Sequence, residues 1–109
     1  MEKIKTRVLE GRKCKLKKGD WSDDNVICDI VIIFYRGITA YGIIKTSKPL
    51  PIKNLISYFK DKTETFEIWL EEPIEDTSGI KVRITNLNHK TKRYATFESC
   101  GALNNKDKN

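Results

Sequence analysis

Apolar and polar residues alternate with a period of two along most of this chain, which is the pattern of half-buried strands. Ile4, Thr6 and Val8 alternate with Lys3, Lys5, Arg7 and Leu9 and predict a first strand. Glu10-Gly11-Arg12 reads as a short hairpin loop, because Gly11 is free to take positive φ. Cys14 and Leu16 then alternate with Lys13, Lys15 and Lys17, giving a second strand, and Gly19 to Asn25 is a polar loop. Val26 to Tyr35 is β-branched and apolar on both faces, as expected of a central strand covered twice. Arg36-Gly37 breaks that run, and Ile38 to Thr46 reads as the returning strand, with Gly42 marking a bulge or a bend.

Pro49-Leu50-Pro51 ends the sheet run. Ile52, Leu55, Ile56 and Phe59 follow at helical spacing and predict one amphipathic helix over Pro51 to Lys60, with Pro51 suited to a first helical position. Strands resume with Phe66, Ile68 and Leu70 facing in and Glu67, Trp69 and Glu71 facing out. Pro73 to Ser78 is a loop, Ile80, Val82 and Ile84 mark the next strand, Asn86 to Lys90 a turn, and Arg93 to Glu98 the last strand. The order ββββαβββ predicts an α+β, predominantly β fold: a curved antiparallel sheet or small barrel of about seven strands, with the helix over one face. One domain over residues 1–103 is expected, with a polar, disordered tail over 104–109.

The net charge of +6 is sorted along the chain. Residues 1–18 hold eight basic against two acidic residues, 19–76 six against eleven, and 77–109 seven against two. A basic–acidic–basic order fits a charged protein partner as well as nucleic acid. The first residues carry no apolar signal-peptide core, and the longest apolar run, Val26 to Tyr35, falls short of the roughly 20 residues that span a membrane. A soluble, cytoplasmic chain is therefore expected. The odd number of cysteines, Cys14, Cys28 and Cys100, argues against a disulfide framework and for reduced, buried thiols.

Two surface constellations stand out. In the expected first hairpin Arg7 faces Lys15 and Lys5 faces Lys17, so like charges meet on one face. Lys3, Lys5, Arg7, Lys13, Lys15 and Lys17 would then contact an anionic partner such as nucleic acid, or merely guard a sheet edge. The patch lacks interleaved aromatics, so little sequence specificity is expected. The second constellation is Trp69 between Glu67 and Glu71, followed by Glu72, Glu75 and Asp76, which suits a cationic protein partner. Its local alternative is a hairpin in which Trp69 faces Lys81 or Arg83.

Catalytic signals are weak. His89 is the single histidine and sits in a basic turn, and no nucleophile, base and orienter form a set. Asp29, within an apolar run, is read as sitting near a strand end and paired with a backbone N–H or a lysine. No metal site or cofactor is expected. Asp76-Thr77-Ser78-Gly79 is similar to the short Asp-x-Ser turn of the cyclic-dinucleotide-binding PilZ barrels, but Lys81 stands where that motif has its second glycine and no paired arginines precede it. In style the chain resembles small, motif-poor proteins that neutralise bacterial toxins or phage-defence enzymes. The expectation is a non-enzymatic immunity or inhibitor protein that binds a toxin or enzyme through Trp69, Glu71, Glu72, Glu75 and Asp76. The alternative is a nucleic-acid-binding module using the basic N-terminal strands.

Overall fold

In the computed structural model the described residues are 4–61, 65–71 and 79–100. They form six antiparallel strands and one short helix: β1 (Lys5–Lys18), β2 (Trp21–Phe34), β3 (Ile38–Lys45), α1 (Leu55–Asp61), β4 (Phe66–Leu70), β5 (Ile80–Leu87) and β6 (Tyr94–Ser99). The strands close into a barrel in the order β1-β2-β3-β6-β5-β4, with β4 returning to β1. The architecture is mostly β, as the alternation predicts. The expected tail, Lys3, and the loop residues Glu72, Glu75 and Asp76 lie outside the described residues.

The expected first hairpin is instead one continuous strand. Gly11 does take positive φ, 63°, but it makes a bulge rather than a turn. Glu10 and Gly11 together oppose Asp29 between the Leu9–Ile30 and Arg12–Cys28 pairs. The Asp29 carboxylate accepts the Gly11 N–H at 2.7 Å and holds the bulge. Asp29 thus finds the backbone N–H expected of it, in mid-strand and exposed rather than near a strand end. The extra residue reverses the side-chain alternation of β1. Leu9 faces the core before it, and Cys14 and Leu16 face the core after it. The first turn of the chain falls at Gly19-Asp20, where Lys18 pairs with Trp21.

Trp21 to Asn25, expected as loop, is strand because a buried acid anchors it. Asp23 accepts hydrogen bonds from the Asn25 N–H (2.9 Å), the Ser47 hydroxyl (2.6 Å), the Ser47 N–H (2.7 Å) and the Lys48 N–H (3.1 Å). These bonds tie the start of β2 to the chain leaving β3. Burial alone would raise the Asp23 carboxyl, but the Ser47 hydroxyl and the three amides outweigh it and hold it below the ordinary carboxylate value.

The core is a single cluster drawn from all six strands and from the segment around α1, including Leu16, Ile30, Ile44, Phe66, Ile68 and Phe97. Helix α1 is shorter than the spacing predicts and meets the barrel through Tyr58 rather than through a full apolar face. Asn54 caps it, accepting the Ser57 N–H at 2.9 Å, so the helix starts after Pro51. β5 runs on past the end of β4, whose first pair is Phe66–Val82. Tyr58 is buried there and its hydroxyl accepts the Ile84 N–H at 2.9 Å. Ile52 is buried as expected, but Ile56 is 81% exposed, and the side chains of Leu55 and Phe59 lie outside the described set. Among the described residues, no helix is long and apolar enough to cross a membrane.

Gly42 pairs with Ile30 in an unbroken β2–β3 register, so it is not a bulge. It permits a close approach instead. A Cβ there would collide with the carbonyl oxygen of Asp29 and come within 3.0 Å of the Ile30 Cα. Gly42→Ala is accordingly expected to cost about 1–3 kcal/mol of stability, measured as a lowered denaturation midpoint. Asp23→Asn should cost ~1.5–3 kcal/mol at pH 7, the range for hydrogen bonds to a charged group. Because the folded state depresses the Asp23 pKa, its contribution is full above the unfolded value of about 4 and is lost as pH falls through the lower folded value. Acid titrations of stability should therefore show a shallower acid limb for Asp23→Asn than for the unaltered chain.

Candidate functional site

The bulge at Gly11 divides the cations of the first strand between two faces. Lys5 and Arg7 share the side of Leu9, whereas Lys13, Lys15 and Lys17 lie on the side opposite Cys14 and Leu16. No lysine in this set faces another. Lys5 pairs with Phe34, Arg7 with Ile32 and Lys13 with Ile27, while Lys15 and Lys17 lie beside Trp69 and Glu67 of β4. The like-charge confrontation expected of a hairpin is therefore absent, because the turn that would create it is a bulge.

β4 brings the second expected constellation against this strand. Trp69 is half-buried, with the Lys17 ammonium 5.7 Å from its ring centroid and its indole N–H donating to Glu67 at 3.4 Å. Its cation comes from β1, and neither Lys81 nor Arg83 faces it. The β4–β5 register pairs Glu67 with Lys81, which leaves Trp69 level with Gly79. A Cβ at position 79 would lie 3.0 Å from the indole ring, so the absence of a side chain makes room for it. Glu71 is exposed and its N–H donates to the Lys13 carbonyl at 3.1 Å. Lys17, Lys18 and Lys81 border a cleft of about 360 Å³, which Glu67 also lines.

Folding sets some of the linearly sorted charges side by side. The basic first strand lies beside acidic residues of β2 and β4, as in the Lys15–Asp24 ion pair at 3.5 Å. Acidic β4 lies beside basic β5, and Arg83 of β5 reaches Glu98 of β6 at 3.8 Å. Opposite charges thus become cross-strand neighbours at these positions.

Another surface, unforeseen from the sequence, is apolar. Val8 (61% exposed), Ile27 (41%), Tyr41 (51%), Ile43 (48%) and Tyr94 (49%) lie on the outer face of neighbouring strands β1, β2, β3 and β6. Val8, Tyr41 and Ile43 line a groove of about 580 Å³, and Glu10, Asp29 and Glu98 rim it with carboxylates. The sequence signal for this face was the run of apolar residues on both faces of β2. That run is covered only once: the inward set Val26, Cys28, Ile30 and Ile32 is buried, while no described layer covers the outward set.

Cys14 and Cys28 are buried free thiols, and Cys100 is half-buried rather than buried. A hydrogen bond to Cys14, together with burial, pushes the Cys28 thiol far up and keeps it protonated. His89 is exposed in the Asn88–Lys92 turn. Among the described residues, no three His, Cys, Asp or Glu side chains converge as a metal site would require. Compared with protein-family models, curated proteins and solved structures, the chain shows no match.

These surroundings give the thiols different reactivities. An aromatic disulfide reagent at pH 8 should modify one thiol per folded chain, and Cys100→Ser should abolish that reaction. Cys14 and Cys28 should react only on unfolding, which absorbance of the released thiolate would report.

Proposed function

We propose that this chain is a non-enzymatic domain that binds another protein stoichiometrically. The observation that carries the reading is the cluster of five large apolar side chains on one outer face, each at least 41% exposed. Monomeric domains rarely leave so many large apolar groups together in water, and such patches accompany binding surfaces. The acidic rim of Glu10, Asp29 and Glu98 suits a partner that offers an apolar knob flanked by lysine or arginine. An immunity or inhibitor role is the form of this reading in which the bound partner is a cationic toxin or enzyme whose working surface is covered. The contact moves from the expected Trp69–Glu71 region to the groove of Val8, Tyr41 and Ile43.

Low-specificity nucleic-acid binding is the second reading. It is favoured by Trp69 lying beside Lys15 and Lys17, next to the cleft bordered by Lys17, Lys18 and Lys81. An aromatic beside basic side chains is an arrangement that single-stranded nucleic acid uses.

Two double variants separate these readings. Tyr41→Asp/Ile43→Asp should reduce binding of a partner co-purified at one-to-one stoichiometry by roughly thirtyfold, the scale of about 2 kcal/mol at an interface hot spot. Lys15→Glu/Lys17→Glu should leave that binding unchanged. The reverse pattern, with labelled single-stranded DNA or RNA as the ligand lost, would replace the protein-binding reading by the second. Both surfaces being indifferent would overturn both.

A further inference from the structure

Helix α1 carries the most exposed large apolar side chain among the described residues, Ile56, at 81%. Tyr58 lies two residues on, hence on roughly the opposite side of the helix, and is buried with its hydroxyl bonded to Ile84. Ile56 therefore points away from its own barrel. Lys60 follows it by one helical turn on the same face, and Lys53 precedes it by three residues. Both lysines are exposed.

An apolar knob between two lysines is what the groove of Val8, Tyr41 and Ile43 suits, since Glu10, Asp29 and Glu98 stand at its rim. Knob and groove belong to one chain and lie on different elements. The groove also limits the kind of segment that fits. β2, β3 and β6 beneath it each have a strand on both sides, so their backbone N–H and C=O groups are directed to neighbouring strands. An extended segment laid over them would bury its own backbone groups without partners, whereas a helix bonds them internally.

We propose that, in the absence of a foreign partner, the groove of one copy takes Ile56 from helix α1 of a second copy, with Lys53 and Lys60 against the carboxylate rim. This contact presupposes that the groove is a protein-docking surface, as proposed above, and adds a competitor for it. Asp29 spends one carboxylate oxygen on the Gly11 N–H, and Glu98 lies 3.8 Å from Arg83, but an ionised carboxylate has about four acceptor positions and can take a further donor. Glu10 is exposed. A knob that fits a groove elsewhere on the same molecule makes a head-to-tail contact. One isoleucine and two lysines fall short of a standard interface, so the contact is weak and a tighter partner displaces it. Self-association thus acts as a brake on the site.

Sedimentation velocity of the full chain tests this at concentrations up to about 1 mM, the affinity range of weak interfaces. The weight-average sedimentation coefficient should rise with concentration and fall again as salt is added, because the rim contacts are screened. Ile56→Asp should remove the rise, and so should Tyr41→Asp/Ile43→Asp. A mixture of these two variants should associate again, because it holds one intact knob and one intact groove. Glu10→Lys/Glu98→Lys should be monomeric alone and should pair with Lys53→Glu/Lys60→Glu. Amide spectra unchanged away from the altered side chains will show that each variant is folded. A flat profile for the unaltered chain would overturn the proposal, as would a rise that survives Ile56→Asp or a mixture that stays monomeric. Ile56→Asp should bind a co-purified partner at least as tightly as the unaltered chain does, and weaker binding would overturn the competition. Partner binding that survives Tyr41→Asp/Ile43→Asp would overturn the docking reading instead, with sedimentation still deciding the contact between copies.

Discussion

The bond between Asp29 and the Gly11 N–H is the constraint on which the rest of this molecule depends. Leu9, Lys13, Lys15 and Lys17 are all odd-numbered, so an unbroken strand would put them on one side of the sheet. Either three ammonium groups would enter the core or Leu9 would leave it. One residue at φ 63° removes the conflict. Glycine adopts that conformation without steric cost, and a carboxylate oxygen 2.7 Å away satisfies the amide that the bulge frees from the ladder. The same bulge allows β1 to stay a single strand of 14 residues. A strand of that length can border β2 along nearly its whole course and still reach β4 to close the barrel.

Closure is then a matter of unequal strand lengths. β4 has 5 residues and β5 has 8, and the difference is met by Tyr58, whose hydroxyl stands in for the missing strand at Ile84. β1 outruns β4 in the other direction, since among the described residues β4 pairs with it only from Cys14 to Lys17. The buried Asp23 network fixes one end of β2 to the chain leaving β3, and Gly42 lets those strands approach closely beside the bulge.

The surface chemistry follows from the same pairing. Once β1, β4 and β5 are neighbours, basic and acidic segments interleave, as where Glu67 lies between Lys17 and Lys81. What remains distinctive is the apolar outer face of β2, β3 and β6. Closing six strands around one core gives each strand a single covered side, so a strand apolar on both sides must show one of them to the outside.

Alternation by itself was enough to read the β-rich class, the inward set Phe66, Ile68 and Leu70, and strands close to β3, β5 and β6. These features depend on period-two patterning and on local breakers such as Arg36-Gly37. The chain also displayed Gly11 as a residue fit for positive φ. It could not say whether that φ makes a turn or a bulge, because the two differ only in where the next strand pairs. The count of strands, the separation of Lys5 and Arg7 from Lys13, Lys15 and Lys17, and the contact of Lys17 with the Trp69 ring all hung on that choice. Only tertiary structure settled them, since side-chain partners in a sheet are set by register between segments distant in sequence, and register leaves no trace in the order of residues along one strand.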